Sequence, residues 1–270
     1  MSDLWQVWAV KYADRPARTR AESFLFDDDH AAPHPIDYFV WVIRNETRTI
    51  LVDTGYDTEE AARRGRPIQL HPVEALAQIG IAADTVDEVI VTHLHYDHAG
   101  TLDSFPKAKF HLQAAEMNYA TGPCMCMPTL KMPFSIEHVV QMVRYVYSGR
   151  VIFHDGDAEI APGVTVHAVG GHSKGLMSVR VKTEGGWLCL ASDASHFYEN
   201  FLARKPFPIV VDIEAMHRGW DLIQSLASSP EQCVPGHDPM VLDLFPSAGP
   251  PGVVRLDRGA TASLAGRLDL

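Results

Sequence analysis

Several features that mark secreted, membrane-spanning or nucleic-acid-binding proteins are missing from this 270-residue chain. Its four cysteines are too few for a disulfide framework in a chain of this size. No apolar run reaches the roughly 20 residues that a membrane-spanning helix needs. Acidic residues (34) outnumber basic ones (23), which gives a net charge of -11. Because an electrostatic nucleic-acid binder needs a basic face, the sequence predicts neither a nucleic-acid nor a membrane partner.

The amino terminus also lacks the pattern of a secretory signal peptide. The opening segment, MSDLWQVWAV, has no basic start, and Gln6 interrupts its short apolar stretch. Together with the low cysteine count, this segment predicts a cytoplasmic protein.

The chain does contain enough apolar sequence for a large core. Hydrophobic residues make up 46% of it, which is ordinary for a globular protein and sufficient for a single domain over residues 1–270. Apolar runs predict two batches of strands, each followed by helical segments, which favours an α/β fold of two sheets with helices outside. An excursion rich in Pro, Met and Cys interrupts the pattern at about 120–150, and its second half predicts a helix starting at Ser135.

The densest chemistry lies in the stretch HLHYDH, residues 93–98. Imidazole and carboxylate groups are costly to bury unless something pairs with them. If the preceding strand continues into the stretch, His93 and His95 point to the same side, because side chains alternate along a strand. A bend after them would aim Asp97 and His98 at a neighbouring point. The motif therefore predicts two adjacent sites for Zn²⁺ or similar divalent ions.

One motif cannot complete two metal sites, and three further ligands are predicted in loops at strand ends. His172 lies in VGGHSKG, Asp193 in LASDAS and His237 in VPGHD, each after an apolar run. The predicted partition is His93, His95 and His172 for one ion, Asp97, His98 and His237 for the other, and Asp193 as a bridge. A bridging carboxylate corresponds to ions roughly 3.5–4 Å apart.

This ordered set of motifs resembles the metallo-β-lactamase superfamily. The matching segments are LVDTG at 51–55, H-x-H-x-D-H at 93–98, G-H-S at 171–173, S-D at 192–193 and G-H-D at 236–238. The resemblance covers roughly residues 36 to 240. It implies a four-layer αββα sandwich, the metallo-β-lactamase fold, with the metals at one sheet edge. It also implies two divalent ions per chain, taken first as Zn²⁺, with Fe, Mn or Co suited to the same ligands.

One segment narrows the resemblance to N-acyl-homoserine lactonases. DASHFYENF, residues 193–201, is similar to their D-A-S-Y followed by E-N-F. His196 stands where those lactonases have a tyrosine that hydrogen-bonds the lactone carbonyl. An imidazole can also donate to a developing oxyanion, and Tyr198 is close by, so the resemblance assigns this role to His196 or Tyr198.

The resemblance implies a metal-dependent hydrolase that opens a small-molecule lactone or ester. A hydroxide bridging the two ions would attack the carbonyl carbon. His196 or Tyr198 would help one ion to stabilise the oxyanion, and Asp97 would carry the proton to the leaving group. Similar lactonases include dimers, so a homodimer is an open expectation.

Several other activities remain open at this stage. A thioester hydrolase of the glyoxalase II type shares the same ligands, and a mononuclear-iron persulfide dioxygenase would make the protein an oxidoreductase. The acidic charge disfavours a nuclease of the ribonuclease Z type. A non-catalytic binding protein on this scaffold typically loses ligands, whereas all seven positions are filled here.

Two further features of the sequence each allow two interpretations. Asp53, in the segment LVDTG, either supports a metal-bound histidine or caps its own turn. The Met and Tyr residues between 125 and 147 either line an apolar substrate pocket or pack within a helix or a dimer contact.

Overall fold

The computed structural model describes residues 4–27 and 29–268. Both ends of the predicted 1–270 domain lie outside these ranges. The first three residues of the opening segment, MSDLWQVWAV, lie outside them as well. The described strands are, in chain order, β1 (Gln6–Arg15), β2 (Ile36–Arg44), β3 (Thr49–Val52), β4 (Glu88–Ile90), β5 (Lys109–Gln113), β6 (Val151–His154), β7 (Ala158–Ala161), β8 (Val164–Ala168), β9 (Met177–Thr183), β10 (Gly186–Ser192), β11 (Cys233–Pro235) and β12 (Val253–Arg255). The α-helices are α1 (Thr58–Arg64), α2 (Pro72–Ala77), α3 (Ala114–Ala120), α4 (Pro128–Lys131), α5 (Ile136–Tyr147), α6 (Tyr198–Leu202), α7 (Ile213–Leu226) and α8 (Met240–Leu244).

The described strands form two sheets. The larger sheet has seven strands in the order β12-β1-β2-β3-β4-β5-β6, and the smaller has five in the order β11-β10-β9-β8-β7. In the larger sheet, the strands from β12 to β3 pair antiparallel and those from β3 to β6 pair parallel. Helices cover the outer faces, which gives the α/β architecture of two sheets that the sequence predicted.

Two strands that follow the 120–150 excursion join the larger sheet, so the two sequence batches do not coincide with the two sheets. β6 pairs parallel with β5, and β12 pairs antiparallel with β1. Parallel neighbours need a long crossover connection between them. The segment from α3 to α5 supplies that crossover, which is why the sheet continues beyond the excursion.

Strand β2 shows how the four layers are held together. Trp41 and Ile43 pack into the core between the sheets, whereas Val40 and Val42 pack into the core between the larger sheet and its helices. Successive side chains on a strand point to opposite faces, and both faces of this strand are buried. The continuous apolar run of β2 is therefore the sequence signature of a central strand in a layered sandwich.

The excursion at 120–150 is largely helical. A short 3-10 turn at Pro123–Cys126 is followed by α4 and then by α5, whose N-cap is Ser135. The helix thus begins within one residue of the predicted start. Met142 and Tyr145 of α5 are buried in the outer core of the larger sheet, whereas Tyr147 is exposed.

The carboxyl ends of several strands face one edge of the sandwich. In the larger sheet β3 and β4 run parallel, so the chain leaves both at the same edge. In the smaller sheet β8, β10 and β11 all run in one direction, because β8 and β10 are each antiparallel to β9 and β11 is parallel to β10. The predicted ligands all lie in the loops that follow these strands.

Among the described residues, no helix combines the length and the apolar character needed to cross a bilayer. All four cysteines are free thiols. The cytoplasmic location stays a prediction.

Candidate metal centre

Two loops bring the first predicted ligand group together. His93 and His95 lie in the loop after β4, and His172 lies in the loop after β8. Each of the three offers a ring nitrogen within 4.8 Å of the other two, and all three side chains are buried. His95 also forms an isolated β-bridge with Phe134, which extends the backbone beyond the end of β4.

The second predicted group assembles beside the first. Asp97, His98 and His237 are buried, and each offers a ligand atom within 4.8 Å of the others. A turn closes after His95, whose carbonyl accepts from the backbone nitrogens of His98 and Ala99. This turn is the bend that the sequence predicted, and it directs the second half of HLHYDH toward the loop that follows β11.

The Asp193 carboxylate lies between the two groups. Its Oδ2 is 3.3 Å from His172 Nε2 and 3.8 Å from His93 Nε2. Its Oδ1 is 3.1 Å from His237 Nε2 and 3.4 Å from His98 Nε2. Each oxygen therefore faces one group, which is the arrangement of a bridging ligand.

Several polar atoms in this cluster have no hydrogen-bond partner although they are buried. They are the Nε2 atoms of His93, His98 and His172 and Oδ1 of Asp193. An unpaired buried polar atom is costly, and native proteins rarely leave one without a function. Imidazole nitrogens and carboxylate oxygens are donors for divalent ions. The donor set therefore fits two metal ions, each facing three side chains and sharing Asp193.

The pKa shifts in the cluster differ between the two ligand groups. Burial lowers the pKa of His93 and of His95 well below the usual range, which favours the neutral imidazole that binds metals. Burial also acts to lower the pKa of His98, but the Asp193 and Asp53 carboxylates outweigh it and raise the value well above its usual range. Burial acts to raise the pKa of Asp193, but the charges of His237 and His98 outweigh it and hold the value well below its usual range. The Asp193 carboxylate is thus anionic, and bound metal cations would balance its negative charge.

Hydrogen bonds to the opposite ring nitrogens fix the orientation of His172 and His237. His172 Nδ1 lies 2.6 Å from the Ile209 carbonyl, and His237 Nδ1 lies 2.8 Å from the Asp37 carbonyl. A carbonyl can only accept, so Nδ1 carries the proton in both rings. Nε2 of each ring is then free to face the ligand cluster.

Asp53 fills the first of the two roles considered for it, since its described side-chain contacts go to residues after β4 and at the end of β10 and none lies within its own turn. Its Oδ2 lies 2.8 Å from His98 Nδ1, while the Thr92 backbone nitrogen and hydroxyl donate to its two oxygens at 2.8 Å each. The residue is fully buried and has a left-handed backbone with φ of 59°. Such a conformation is unfavourable for a non-glycine residue and persists where the surroundings determine it. Asp53 therefore supports a ligand histidine and joins the turn after β3 to the loop after β4.

A glycine allows the loop after β11 to approach the bridging carboxylate. A Cβ added to Gly236 would lie 2.4 Å from Asp193 Oδ1 and 3.0 Å from the Ser192 carbonyl. The first contact is shorter than real Cβ atoms show, and the second is tighter than nine in ten of their contacts. The glycine before His237 is therefore required by the close approach of the two ligand loops.

Glu116, on α3, is a supporting residue that the sequence analysis missed. Its carboxylate accepts from the Leu94 and Gly175 backbone nitrogens at 2.9 Å each and from the Ser173 hydroxyl. It thereby joins the loop of HLHYDH to the loop that holds His172. Burial raises its pKa. A lone glutamate in QAAEMNYA carries no motif, so only the tertiary structure reveals this role.

Ser173 stands at the centre of GHSKG, which has the G-x-S-x-G spacing of serine hydrolases. Its side chain is fully buried, and its hydroxyl donates to the Glu116 carboxylate. A nucleophilic serine needs an exposed hydroxyl beside a basic histidine. Ser173 is therefore a structural residue of the metal-site loop.

His196 lies at the cluster, where the sequence predicted it. Its Nε2 is 3.0 Å from Asp193 Oδ2, and its ring stacks on Phe207 with centroids 3.8 Å apart. Burial lowers its pKa to about 3, so the ring is neutral near pH 7. A neutral imidazole has one N–H, and the contact with Asp193 uses it. This geometry favours a role in orienting Asp193 over donation to an oxyanion.

Tyr198 does not reach the cluster, and its predicted catalytic role is corrected. Its side chain is fully buried in the core of the smaller sheet, and its hydroxyl donates to the Glu231 carbonyl at 2.8 Å. The backbone nitrogen of Tyr198 donates to the Asp238 carboxylate, which fixes the start of α6. Hydrophobic burial thus outweighs proximity in sequence, and the phenol packs in the core.

A cavity of about 300 Å³ opens onto the ligand cluster. Its floor includes His95, Asp97, Asp193 and His196, and Met132 of the excursion contributes to its wall. The rest of the wall includes four arginines that the sequence analysis did not single out, Arg15, Arg18, Arg64 and Arg66. Two segments supply them: RPAR, residues 15–18, at the end of β1, and RRGR, residues 63–66, at the end of α1.

Comparison with known proteins identifies the family. The sequence profile of the metallo-beta-lactamase superfamily matches residues 35–237, about three quarters of the chain. The chain belongs to this superfamily, and the predicted four-layer αββα fold is confirmed. The matched range contains all seven predicted ligands, from His93 to His237.

Within the superfamily, the chain is similar to lactone-opening enzymes. It is 30% identical over 136 residues to an N-acyl homoserine lactonase of Bacillus cereus, an alignment that spans 50% of this chain and 49% of that one. It is 29% identical over 185 residues to one of Bacillus thuringiensis, covering 62% and 68%. The chain thus spans about half the length of the first of these relatives.

A solved structure agrees with these relatives. An N-acyl homoserine lactone hydrolase with the product N-hexanoyl-L-homoserine bound at its catalytic metal center superposes with a TM-score of 0.71 and 21% identity, over 88% of this chain and 95% of that one. At this identity the superposition establishes the fold alone. The prediction of a metal-dependent hydrolase agrees with the names of all three proteins.

Proposed function

We propose that this protein is a dinuclear metal hydrolase that opens a lactone ring, with an N-acyl homoserine lactone as the first substrate class to test. The observation that carries the proposal is the position of Asp193, whose two oxygens each face a group of three buried ligands. A single-ion site would not need a second complete group. The relatives named above, all lactonases or lactone hydrolases, support the choice of substrate.

The proposed ligands are the seven residues that the sequence singled out. His93, His95 and His172 would hold one ion, Asp97, His98 and His237 the other, and Asp193 both. Two divalent ions, proposed as Zn²⁺, supply a hydroxide nucleophile near neutral pH and polarise the scissile carbonyl.

Asp97 and His196 are the residues of this chain proposed to act around the reacting bond. Asp97 lies on the cavity floor, where its carboxylate can hold a proton for the ring-oxygen leaving group. His196 is proposed to orient Asp193 through the 3.0 Å contact between Nε2 and Oδ2. Phe207 stacks on the His196 ring and holds its orientation.

The test combines metal content with a substrate panel. Purified protein should retain two equivalents of metal per chain and should open acyl-homoserine lactones faster than aryl esters, a glutathione thioester or a penicillin. One equivalent of iron would instead indicate the persulfide dioxygenase. Turnover of the thioester without turnover of any lactone would contradict the proposal in favour of the glyoxalase II type.

A further inference from the structure

One wall of the cavity carries positive charge for which a neutral lactone has no use. Arg15, Arg18, Arg64 and Arg66 line the same cavity as the proposed catalytic Asp97. The chain as a whole has a net charge of -11, so four guanidinium groups in one small cavity run against its composition. Outside the proposed metal ligands, Glu22 is the one acidic residue among the described residues of the cavity lining.

Arg18 is buried with part of its guanidinium unsatisfied. Its side chain is only 7% exposed. Nη2 donates to the Glu22 carbonyl at 2.6 Å, and Nε lies 3.6 Å from Glu22 Oε1, beyond hydrogen-bonding distance. Nε and Nη1 are both buried without a hydrogen-bond partner. Burial lowers the pKa of Arg18, which reflects the same loss of solvation. The exposed Glu22 carboxylate, which also pairs with Arg15, forms only a long ion pair with this buried cation, so the donors of Arg18 can take a further anionic partner.

The neighbouring arginines differ in how many ion pairs and hydrogen bonds they form. Arg64 pairs with Glu60 at 2.7 Å and also donates to the Met132 and Phe134 carbonyls. Glu60 therefore neutralises this guanidinium. The remaining donors of Arg64 bind the backbone just before α5.

Arg15 and Arg66 complete the charge balance of the wall. Arg15 pairs with Glu22 at 3.2 Å, so the one carboxylate of the wall is already engaged. Arg66 donates to the Tyr96 hydroxyl and stacks over the Tyr96 ring, and it forms no ion pair with the described part of the chain. Arg18 and Arg66 thus leave an excess of positive charge.

We propose that the substrate carries a carboxylate, separate from its scissile ester, and that Arg18 and Arg66 bind this group. The inference rests on the proposed hydrolase function and, among lactones, favours compact rings with an acidic substituent over the neutral acyl-homoserine lactones that the first panel tests. Guanidinium groups bind carboxylates through charge-assisted hydrogen bonds, and Nε and Nη1 of Arg18 are both buried without a partner, so each can donate one such bond. A volume of about 300 Å³ lies at the small end of ligand pockets, which favours a short acidic substituent over a long acyl chain.

Matched lactones test this inference on the metal-loaded protein. One series consists of γ-butyrolactones that carry a carboxylate on spacers of increasing length, and the second consists of the corresponding carboxamides. The amide keeps the size of the carboxylate and removes its charge. The wild-type kcat/KM should favour the best carboxylate over its amide by at least about tenfold, because a charge-assisted hydrogen bond is lost with the amide. Equal rates, or a preference for the amide, would overturn the proposal. A phosphate-bearing lactone that surpassed every carboxylate would overturn the assignment to a carboxylate.

Variants at Arg18 test whether this residue determines the preference for the carboxylate over the amide. Arg18→Gln should lower kcat/KM for the carboxylate by roughly tenfold or more while that for the amide changes little. Arg18→Lys keeps the charge and should retain part of the preference. Arg44→Gln, at the far end of β2 from the cavity, is the matched control and should leave the preference intact. Equal losses on both substrates in Arg18→Gln, with unchanged metal content and thermal melting, would contradict the assignment.

A binding measurement separates this inference from the proposed function. Glutarate should bind the metal-loaded wild type more tightly than glutaramide does. Arg18→Gln should lower the affinity for glutarate by roughly tenfold. If no lactone is opened but this pattern holds, the hydrolase assignment fails while the carboxylate site stands. If lactones are opened and Arg18→Gln binds glutarate as well as the wild type does, the carboxylate site fails.

Discussion

At the scale of single residues, Asp53 links the turn after β3 to a ligand of the metal centre. The same carboxylate meets His98 Nδ1 and the Thr92 backbone. Partners of this kind orient the imidazole and raise its basicity, so they contribute to metal affinity without touching the metal. The cost of its left-handed backbone conformation is met by these fixed contacts.

Asp53→Asn should weaken metal binding by roughly 10–100-fold, because the amide is a poorer acceptor for His98 Nδ1–H. Affinity can be measured by competition with a chelator of known strength. Asp84→Asn, at an exposed aspartate, is the control and should bind metal as the wild type does. Unchanged affinity in the Asp53 variant would mean that the contact with His98 is only structural.

His95→Ala should abolish lactone turnover and remove about one equivalent of metal per chain, because His95 belongs to only one of the two ligand groups. Metal analysis and activity are measured on the same preparation. His30→Ala, in an exposed loop, should change neither. Persistent turnover in the His95 variant would show that the proposed centre is not the site of reaction.

The clustering of the seven proposed ligands could be predicted from sequence because each lies in a short motif with a fixed order along the chain. The supporting residues could not. Glu116 is a lone glutamate on a helix, and its three contacts come from residues far away in sequence. Tyr198 shows the opposite error, since closeness in sequence to His196 suggested a function that core packing rules out.

At the scale of elements, α1 is joined to its surroundings through Glu60. Asp57 caps the helix by accepting from the Glu60 backbone nitrogen. The Glu60 side chain accepts from Arg63 and from Arg64, and Arg64 also holds two carbonyls that precede α5. Burial acts to raise the pKa of Glu60, but the hydrogen bonds from Arg63 and Arg64 outweigh it and lower the value to about 2.

Glu60→Gln should lower the free energy of unfolding at pH 7 by about 1–2 kcal/mol, a figure reduced for solvent screening by the exposed Arg63. Because the folded pKa is depressed, the stabilisation is fully present above the unfolded pKa of about 4.3. It is lost as the pH falls toward 2, the folded value. The difference between wild type and variant should therefore shrink between these two pH values.

Denaturant unfolding of the metal-free proteins across this pH range measures that difference. Metal-free protein is used because ligand protonation would otherwise dominate the acid limb. Glu59→Gln, at the exposed neighbour on the same helix, is the matched control and should show little difference at any pH. A Glu60 difference that does not vary with pH would assign the effect to packing instead of charge.

At the scale of the whole molecule, the two sheets contribute to the metal centre almost equally. The loop after β4 in the larger sheet holds four of the proposed ligands, and loops after β8, β10 and β11 in the smaller sheet hold the other three. The two-sheet architecture was predictable from apolar periodicity, since β2 and β10 are continuous apolar runs. The membership of β6 and β12 in the larger sheet was not, because three-residue and four-residue strands carry too little pattern to indicate their partners.

Since both sheets provide ligands, metal binding should stabilise the whole fold. Any ligand that binds only the folded state adds RT ln(1 + [L]/Kd), about 2.7 kcal/mol for one ion at a hundredfold excess over Kd. For a domain of this size, that amount should raise the melting temperature by roughly 5–10 °C. Scanning calorimetry of the chelator-treated and metal-reconstituted protein measures the shift. His95→Ala should show a smaller shift than Asp84→Asn, which keeps every ligand. Equal melting temperatures with and without metal would mean that the seven side chains do not bind ions across the two sheets.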